Sequence, residues 1–214
     1  MKRKLFIKIC GITRPQDADL ASRLGASALG FMFWRDSPRR VTPGTAKTIA
    51  ASVPAHVMKV GVFVDEPIDD LVRIVAEAGL DGAQLHGNET PEYCRELTTR
   101  LAPGTTLNVL IKAVAIGGSG GVNVSEFASD VTMLVDTHDA VRRGGTGRTG
   151  NWDRAREVAL ARPTILAGGL NAANVRLALR SVGPYGVDVS SGVESAPGVK
   201  DPARLRTFFE ALHD

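Results

Sequence analysis

Two side chains that can exchange protons stand at the ends of apolar segments of the sequence. Cys10 follows the run LFIKI at 5–9, between Lys8 and Gly11, and Asp136 ends the run VTMLVD at 131–136. A cysteine whose pKa is lowered from about 8.5 by nearby positive charge can act as a thiolate base. A carboxylic acid in apolar surroundings has a raised pKa and can act as a general acid. The pair predicts acid–base chemistry, although a buried structural thiol and a turn-capping aspartate also fit these positions.

Two later segments, AGGLNAANV at 167–175 and DVSSGVE at 188–194, are typical of phosphate-binding loops. Each places small residues before a predicted helix start, where backbone N–H groups and the helix dipole attract anions. The residues concerned are Gly168, Gly169, Ser190, Ser191 and Gly192. Tight turns are the alternative explanation. Because both segments show the pattern, we expect them to bind the phosphate of a small-molecule substrate.

The stretch RRGGTGRTGNWD at 142–153 contains the spacing G-x-G-x-x-G, which occurs in dinucleotide-binding folds. Such a fingerprint must directly follow a strand and be answered by an acidic residue about 20 positions later. Here the glycines come several residues after the apolar run, and Leu170 and Asn171 stand where the acidic residue would be. The stretch therefore predicts a loop that closes over an anionic ligand, with Gly145 and Gly147 near its phosphate. A surface loop without that role is the alternative.

A regular series of apolar runs must position these residues. The runs are almost continuously apolar, as in parallel strands that are buried on both faces. They lie at 5–9, 28–33, 57–63, 80–85, 106–114, 131–136, 163–169 and 185–191. Eight strands alternating with helices predict an α/β fold, a single-domain (β/α)8 TIM barrel that spans residues 1–214. A doubly wound open sheet is the alternative, but it usually has fewer strands at this length.

Helix boundaries between the runs are marked by capping residues and glycines. We expect Thr13 and Gln16 to form a capping box, and Asn171 to cap the segment that follows it. Other capping side chains stand before a proline, at Thr42-Pro43, Thr90-Pro91 and Asp201-Pro202. Gly25 and Gly79 are expected at helix C-termini. The glycine-rich segment at 117–130 allows at most a short helix.

Composition excludes several other classes of protein. The net charge of +3 comes from 26 basic and 23 acidic residues that are well mixed along the chain, so we expect no nucleic-acid partner. No apolar run is long enough to span a bilayer, and the N-terminus lacks the features of a signal peptide. Two cysteines fit a reducing, cytoplasmic location. The four histidines lack the spacing of metal ligands, so no metal is expected.

Several motifs together resemble the phosphoribosylanthranilate isomerase family of tryptophan biosynthesis. The resemblance covers nearly the whole chain and is carried by KICGIT, GFMFWRDSPRRVTP, DGAQLHG, MLVDT, GGTGRTGNWD, LAGGLNAANV and GVDVSSGVESAPGVKD. It implies an Amadori rearrangement of N-(5-phosphoribosyl)anthranilate, without a metal or organic cofactor. By the same resemblance Cys10 is the general base, Asp136 is the general acid, and Arg39 meets the anthranilate carboxylate. Gln84, His86 and Asp188 would line the substrate pocket.

Arg148 and Gly150 depart from the lysine and phenylalanine that relatives often carry, which leaves the packing of this loop open. The alternatives are the corresponding isomerase of the histidine pathway and a phosphate-binding barrel without catalysis. Two aspartates are typical of the first, so Cys10 argues against it. We favour a monomer, and a homodimer is possible.

Overall fold

The computed structural model describes residues 4–101, 109–116, 123–137 and 152–213. Its core is a closed barrel of eight parallel strands in the order β1 to β8, with β8 pairing back onto β1. The strands are β1 (Phe6–Cys10), β2 (Ala28–Met32), β3 (Met58–Phe63), β4 (Gly82–Leu85), β5 (Val109–Ala115), β6 (Thr132–Asp136), β7 (Thr164–Ala167) and β8 (Gly186–Val189). The predicted TIM barrel is confirmed. Each of the eight apolar runs corresponds to one strand, and no strand extends more than one residue beyond its run.

Helices follow most of the strands and cover the outside of the barrel. They are α1 (Pro15–Leu24), α2 (Pro43–Ala50), α3 (Ile68–Ala78), α4 (Pro91–Leu101), α5 (Trp152–Ala161), α6 (Val175–Val182) and α7 (Pro202–His213). In the part of the crossover after β5 that the structure describes, a 3₁₀ turn lies at Val124–Glu126, in agreement with the short helix expected there. A second 3₁₀ turn, Ser191–Val193, leads from β8 into a hairpin of β9 (Glu194–Ala196) and β10 (Val199–Lys200).

Most of the predicted capping side chains are in place. The Oγ1 atom of Thr42 accepts a hydrogen bond from the N–H of Thr45 at 3.1 Å, and Asp201 accepts from two N–H groups at the start of α7. Thr90 does the same for α4. Gly25 and Gly79 end α1 and α3 in the left-handed conformation, as expected.

One capping prediction was wrong, and a second was confirmed only for the turn that precedes the helix. Helix α1 has Arg14 at its N-cap, without a side-chain cap, because the Thr13 hydroxyl donates to the carbonyl of Gly198. Helix α6 begins only at Val175, because Asn171 caps a preceding turn by accepting from the N–H of Ala173. At α1 a contact distant in the sequence occupies the expected cap, whereas at α6 the Asn171 cap is local and stabilises the turn ahead of the helix.

Two apolar clusters occupy alternate positions along the strands, as the pleat of a strand requires. The first, which includes Phe6, Ala28, Val60, Ile111 and Leu134, fills the barrel lumen. The second, larger cluster packs the outer faces of the strands against the helices. The lumen is apolar toward the amino ends of the strands, so polar side chains on the same face are gathered at the other end.

The described residues contain no helix long and apolar enough to cross a membrane.

Candidate active site

The end of β1 brings a thiol, a buried ammonium and a carboxylate together in the lumen. Lys8 and Cys10 lie on the lumen face of β1, and the Nζ atom of Lys8 donates to the Oδ1 atom of Asp188 at 3.0 Å. Lys8 is fully buried and Asp188 is almost fully buried. Register pairs Lys8 with Asp188 on one side, and Cys10 with Gly30 on the other. Strand geometry therefore places Lys8 beside Asp188, and Cys10 two residues farther along the same face of β1.

Because Gly30 has no side chain, the side chains of Lys8 and Cys10 can occupy the space above it. A Cβ atom at position 30 would lie 2.8 Å from the Sγ atom of Cys10 and 3.0 Å from the Nζ atom of Lys8. The thiol and the ammonium thus face the same point above the β2 backbone. The sequence places Lys8 near Cys10, but it gives no indication of the role of Gly30.

Burial raises the pKa of the Cys10 thiol, and the charge of Asp188 raises it further. The charges of Lys8 and Lys200 act in the opposite direction but do not outweigh burial. Burial also works against the ammonium form of Lys8, yet Asp188 and Cys10 together raise the pKa of this lysine. Burial thus favours the protonated thiol of Cys10, whereas the neighbouring Asp188 favours the ammonium form of Lys8.

Across the lumen, Asp136 faces His86. Asp136 is the last residue of β6, and its Oδ2 atom lies 3.6 Å from the Nε2 atom of His86. On the other side of the ring, the amide nitrogen of Gln84 lies 2.9 Å from Nδ1. With that amide donating to Nδ1, the proton of a neutral imidazole is on Nε2 and points toward Asp136. The structure thus brings together three predicted site residues in one line, Gln84, His86 and Asp136.

A buried ion pair holds the loop that carries His86. The Nζ atom of Lys112 lies 2.8 Å from the Oε2 atom of Glu89 and also donates to the carbonyl of Gly87 at 2.7 Å. Glu89 in turn accepts from the N–H groups of Asp65 and Gly87. Lys112 lies on the helix side of β5, outside the lumen. The sequence analysis did not single out this pair as a support for the site.

Arg39 is held by a carboxylate that the sequence analysis also missed. Its Nε and Nη2 atoms donate to both oxygens of Glu194, at 2.7 to 3.1 Å. Glu194 starts the β9–β10 hairpin, and its Oε1 atom lies 2.8 Å from the Nζ atom of the buried Lys200. Although burial opposes ionisation, these hydrogen bonds hold the pKa of Glu194 below its usual value. Arg40, by contrast, is exposed.

The same hairpin reaches the backbone of β1. The Nζ atom of Lys200 donates to the carbonyl oxygen of Cys10 as well as to Glu194. The Arg39 side chain lies over Gly11, where an added Cβ would be 2.6 Å from its Cδ atom. Gly11 has a φ of 76°, which favours glycine. The hairpin therefore ties Arg39 and the Cys10 backbone into one buried network.

The two predicted phosphate loops lie side by side after β7 and β8. An added Cβ at Gly192 would come 1.9 Å from the carbonyl oxygen of Leu170, so the loops are in direct contact. Gly168 and Gly169 have positive φ angles of 95° and 63°. Ser190 and Gly192 are half-buried, and Ser191 is exposed.

The helix start predicted after each of the two segments was wrong, because Ser190–Gly192 lead through a 3₁₀ turn into the β9–β10 hairpin. Gly168 and Gly169 do not lie directly before a helix, because residues 170–174 form a turn that separates them from α6. The backbone N–H groups near these glycines therefore belong to a turn, not to a helix N-terminus. The loop with Gly145, Gly147, Arg148 and Gly150 lies outside the described residues.

Within the described ranges, no three histidine, cysteine, aspartate or glutamate side chains are grouped so that they could share a metal ion. Acid–base groups and cations line the carboxyl end of the barrel instead.

Comparisons with known proteins identify the family to which this chain belongs. A family model for N-(5'phosphoribosyl)anthranilate (PRA) isomerase matches residues 7–211. N-(5'-phosphoribosyl)anthranilate isomerase of Desulforudis audaxviator is 44% identical over 212 residues, covering 98% of each chain. The enzyme of Syntrophus aciditrophicus is 42% identical over 206 residues, covering 96% of this chain and 86% of the relative.

Solved structures give the same result. Phosphoribosyl anthranilate isomerase from Thermotoga maritima superposes with a TM-score of 0.87 at 35% identity, covering 98% of this chain and 99% of the relative. A phosphoribosyl anthranilate isomerase in complex with reduced 1-(o-carboxyphenylamino)-1-deoxyribulose 5-phosphate has a TM-score of 0.84 at 34% identity, with the same coverage. This chain belongs to the phosphoribosylanthranilate isomerase family.

Proposed function

We propose that this chain converts N-(5'-phosphoribosyl)anthranilate into 1-(2-carboxyphenylamino)-1-deoxyribulose 5-phosphate, with Cys10 as general base and Asp136 as general acid. The assignment of these roles rests on the position of the two residues. Each is the last residue of its strand, on the lumen face, at the same end of the barrel. In TIM barrels this end carries the chemistry.

Asp136 is the group suited to open the ribose ring. Protonation of the ring oxygen allows the C1–O bond to break, and the anilinic nitrogen then forms a protonated imine. A positioned acid contributes about 10²- to 10⁴-fold to such a step. The Nε2–H of His86 would orient the Asp136 carboxyl group and hydrogen-bond its charged form after proton transfer.

Cys10 is the group suited to the second step. The protonated imine acidifies the proton on C2, so the Cys10 thiolate can remove it. The resulting enolamine tautomerises to the aminoketose, and no redox partner is required because one carbon is oxidised as its neighbour is reduced.

The remaining predicted residues have roles that suit their surroundings. Arg39 contacts Glu194 through Nε and Nη2, and not through Nη1. We propose that Arg39 binds the anthranilate carboxylate. Asp188 and Gln84 would contact the sugar or the ring. The loops at Gly168–Gly169 and Ser190–Gly192 would hold the phosphate, together with Gly145 and Gly147.

We further propose that the chain is one domain and acts in the cytoplasm as a monomer. One solved structure is of monomers generated from the dimeric enzyme of Thermotoga maritima, so light scattering of the purified protein is needed to decide between monomer and homodimer.

A fluorescence assay tests the proposed reaction. Phosphoribosylanthranilate is generated in situ, and loss of its fluorescence is followed with the parent protein, Cys10→Ala and Asp136→Asn. We expect rapid loss with the parent and a reduction of kcat by about 10²-fold or more in each variant. Cys94→Ala is the matched control, because Cys94 lies in α4 and is buried between the helices and the outer face of the barrel.

Absence of turnover by the parent protein would refute the substrate assignment, and the histidine-pathway aminoribosyl phosphate would then be tested. Full activity of Cys10→Ala with loss in Asp136→Asn would instead refute the role of the thiol.

A further inference from the structure

A buried thiol such as that of Cys10 needs a source of positive charge before it can act as a base. The charged groups facing Cys10 come from four elements. Lys8 is on its own strand, Asp188 is on β8, Lys200 is on β10, and Arg39 extends from the loop after β2. Glu194 neutralises both Arg39 and Lys200 through ion pairs of 2.7 and 2.8 Å.

Lys8 differs from the other two cations. Arg39 and Lys200 are directed at Glu194, and Lys200 reaches the backbone of Cys10 through its carbonyl. The Nζ atom of Lys8 and the sulfur of Cys10 instead lie together above Gly30. Its counterion, Asp188, is a lumen-facing carboxylate.

We propose that Lys8 is the cation that stabilises the thiolate of Cys10, and that Asp188 controls how far the charge of Lys8 is neutralised. While Asp188 is paired with Lys8, the positive charge is largely neutralised and the thiol keeps its proton. When the Asp188 carboxylate turns toward hydroxyl groups of the substrate, the Lys8 ammonium is left beside the sulfur. This inference rests on the proposed function for Asp188 as a substrate contact.

The position of Lys8 supports this role. An unpaired ammonium in a buried site is strongly unfavourable, so it must find another anion when Asp188 moves away. Besides Asp188, the group in contact with Lys8 that can become an anion is the Cys10 thiol. Lys8 is thus a positioning residue, because it acts through Cys10 and not on the substrate.

The test measures the thiol directly and requires no substrate. In a Cys94→Ala background Cys10 is the sole cysteine. Its alkylation by iodoacetamide is followed by mass spectrometry between pH 6 and about pH 10, which gives the apparent pKa of the thiol because only the thiolate reacts.

We expect opposite effects from the two partners. Lys8→Met should slow alkylation at neutral pH by about tenfold or more, which corresponds to a rise of at least about one unit in the pKa of the thiol. Asp188→Asn imitates withdrawal of the carboxylate and should speed alkylation. A loss of packing alone would change both rates in the same direction, so equal changes, or no change in either variant, would overturn the proposal.

The double variant Lys8→Met/Asp188→Asn keeps the test decisive if Lys8→Met does not fold. It leaves no unpaired charge at this site, and it should react more slowly than Asp188→Asn alone. Equal rates in these two proteins would overturn the proposal.

Lys59→Met is the matched control. Lys59 is also a mostly buried lysine in an ion pair, with Asp81 at 2.7 Å, but it lies on the helix side of β3, away from the site. Its loss should leave the reactivity of Cys10 unchanged, and slowing equal to that of Lys8→Met would contradict a specific role for Lys8. Because alkylation is independent of turnover, failure of this inference can be distinguished from failure of the proposed reaction.

Discussion

Gly30→Ala is the smallest change that should disturb both β1 and the reactive thiol. The added Cβ would lie 2.8 Å from the Sγ atom of Cys10 and 3.1 Å from its Cα atom. Ordinary contacts between carbon atoms are about 3.5 to 4.0 Å. The two strands must therefore separate by several tenths of an ångström, or Cys10 must change its rotamer.

The expected magnitude follows from two opposing effects. Overpacking of a close-packed interior costs about 1 to 3 kcal/mol. Replacing glycine by alanine recovers about 0.4 to 1 kcal/mol, because the unfolded chain loses freedom. A net loss of about 1 to 2 kcal/mol in the free energy of unfolding is expected. Since a displacement of about 1 Å can cost about 10²-fold in rate, the smaller shift here should lower kcat/KM by about tenfold.

Urea unfolding and the fluorescence assay measure the two consequences. Gly44→Ala is the matched control, because its added Cβ has no neighbour nearer than the Oγ1 atom of Thr42 at 4.0 Å. This variant should be slightly more stable than the parent and equally active. The reasoning fails if Gly30→Ala is as stable and as active as Gly44→Ala.

Two further predictions concern the buried charges of the site. Glu194→Gln leaves Arg39 without its bidentate partner and Lys200 without a counterion. Urea unfolding should show a loss of about 3 kcal/mol in the free energy of unfolding, and KM should rise. An unchanged KM would contradict the role of Glu194 in orienting Arg39. The raised pKa of Cys10 predicts a stability contribution that is complete below about pH 8.5 and is lost as pH rises through the folded-state value. The urea midpoint should therefore fall more steeply above about pH 8.5 for the parent than for Cys10→Ala, and parallel declines would refute this prediction.

Much of the fold was predictable because its determinants are local. Continuous apolar runs and capping residues such as Thr42 and Asp201 are read from neighbouring positions, and strand direction then brings Cys10 and Asp136 to the same end of the barrel. The wrong prediction at Thr13 shows the limit of this reasoning. Its hydroxyl is occupied by Gly198, which is 185 positions away, so a tertiary contact replaces the local cap.

The charged support of the site was not predictable from local patterns. Glu194 and Lys200 stand in the stretch VESAPGVKD, whose polar and turn-forming residues resemble an exposed hairpin. Glu89 likewise lies in a polar segment between β4 and α4. Their burial depends on ion pairs with partners on other elements, and a sequence pattern does not show such pairing.

The β9–β10 hairpin also affects when the site can form during synthesis. Lys200 reaches the carbonyl of Cys10 across 190 positions, and Asp188 reaches Lys8 across 180. Contacts of such long sequence separation form late, since the chain must close a large loop first. A nascent chain that has emerged only as far as β7 lacks both Asp188 and the hairpin. The ribosome must therefore release almost the whole polypeptide before the first strand acquires its catalytic surroundings.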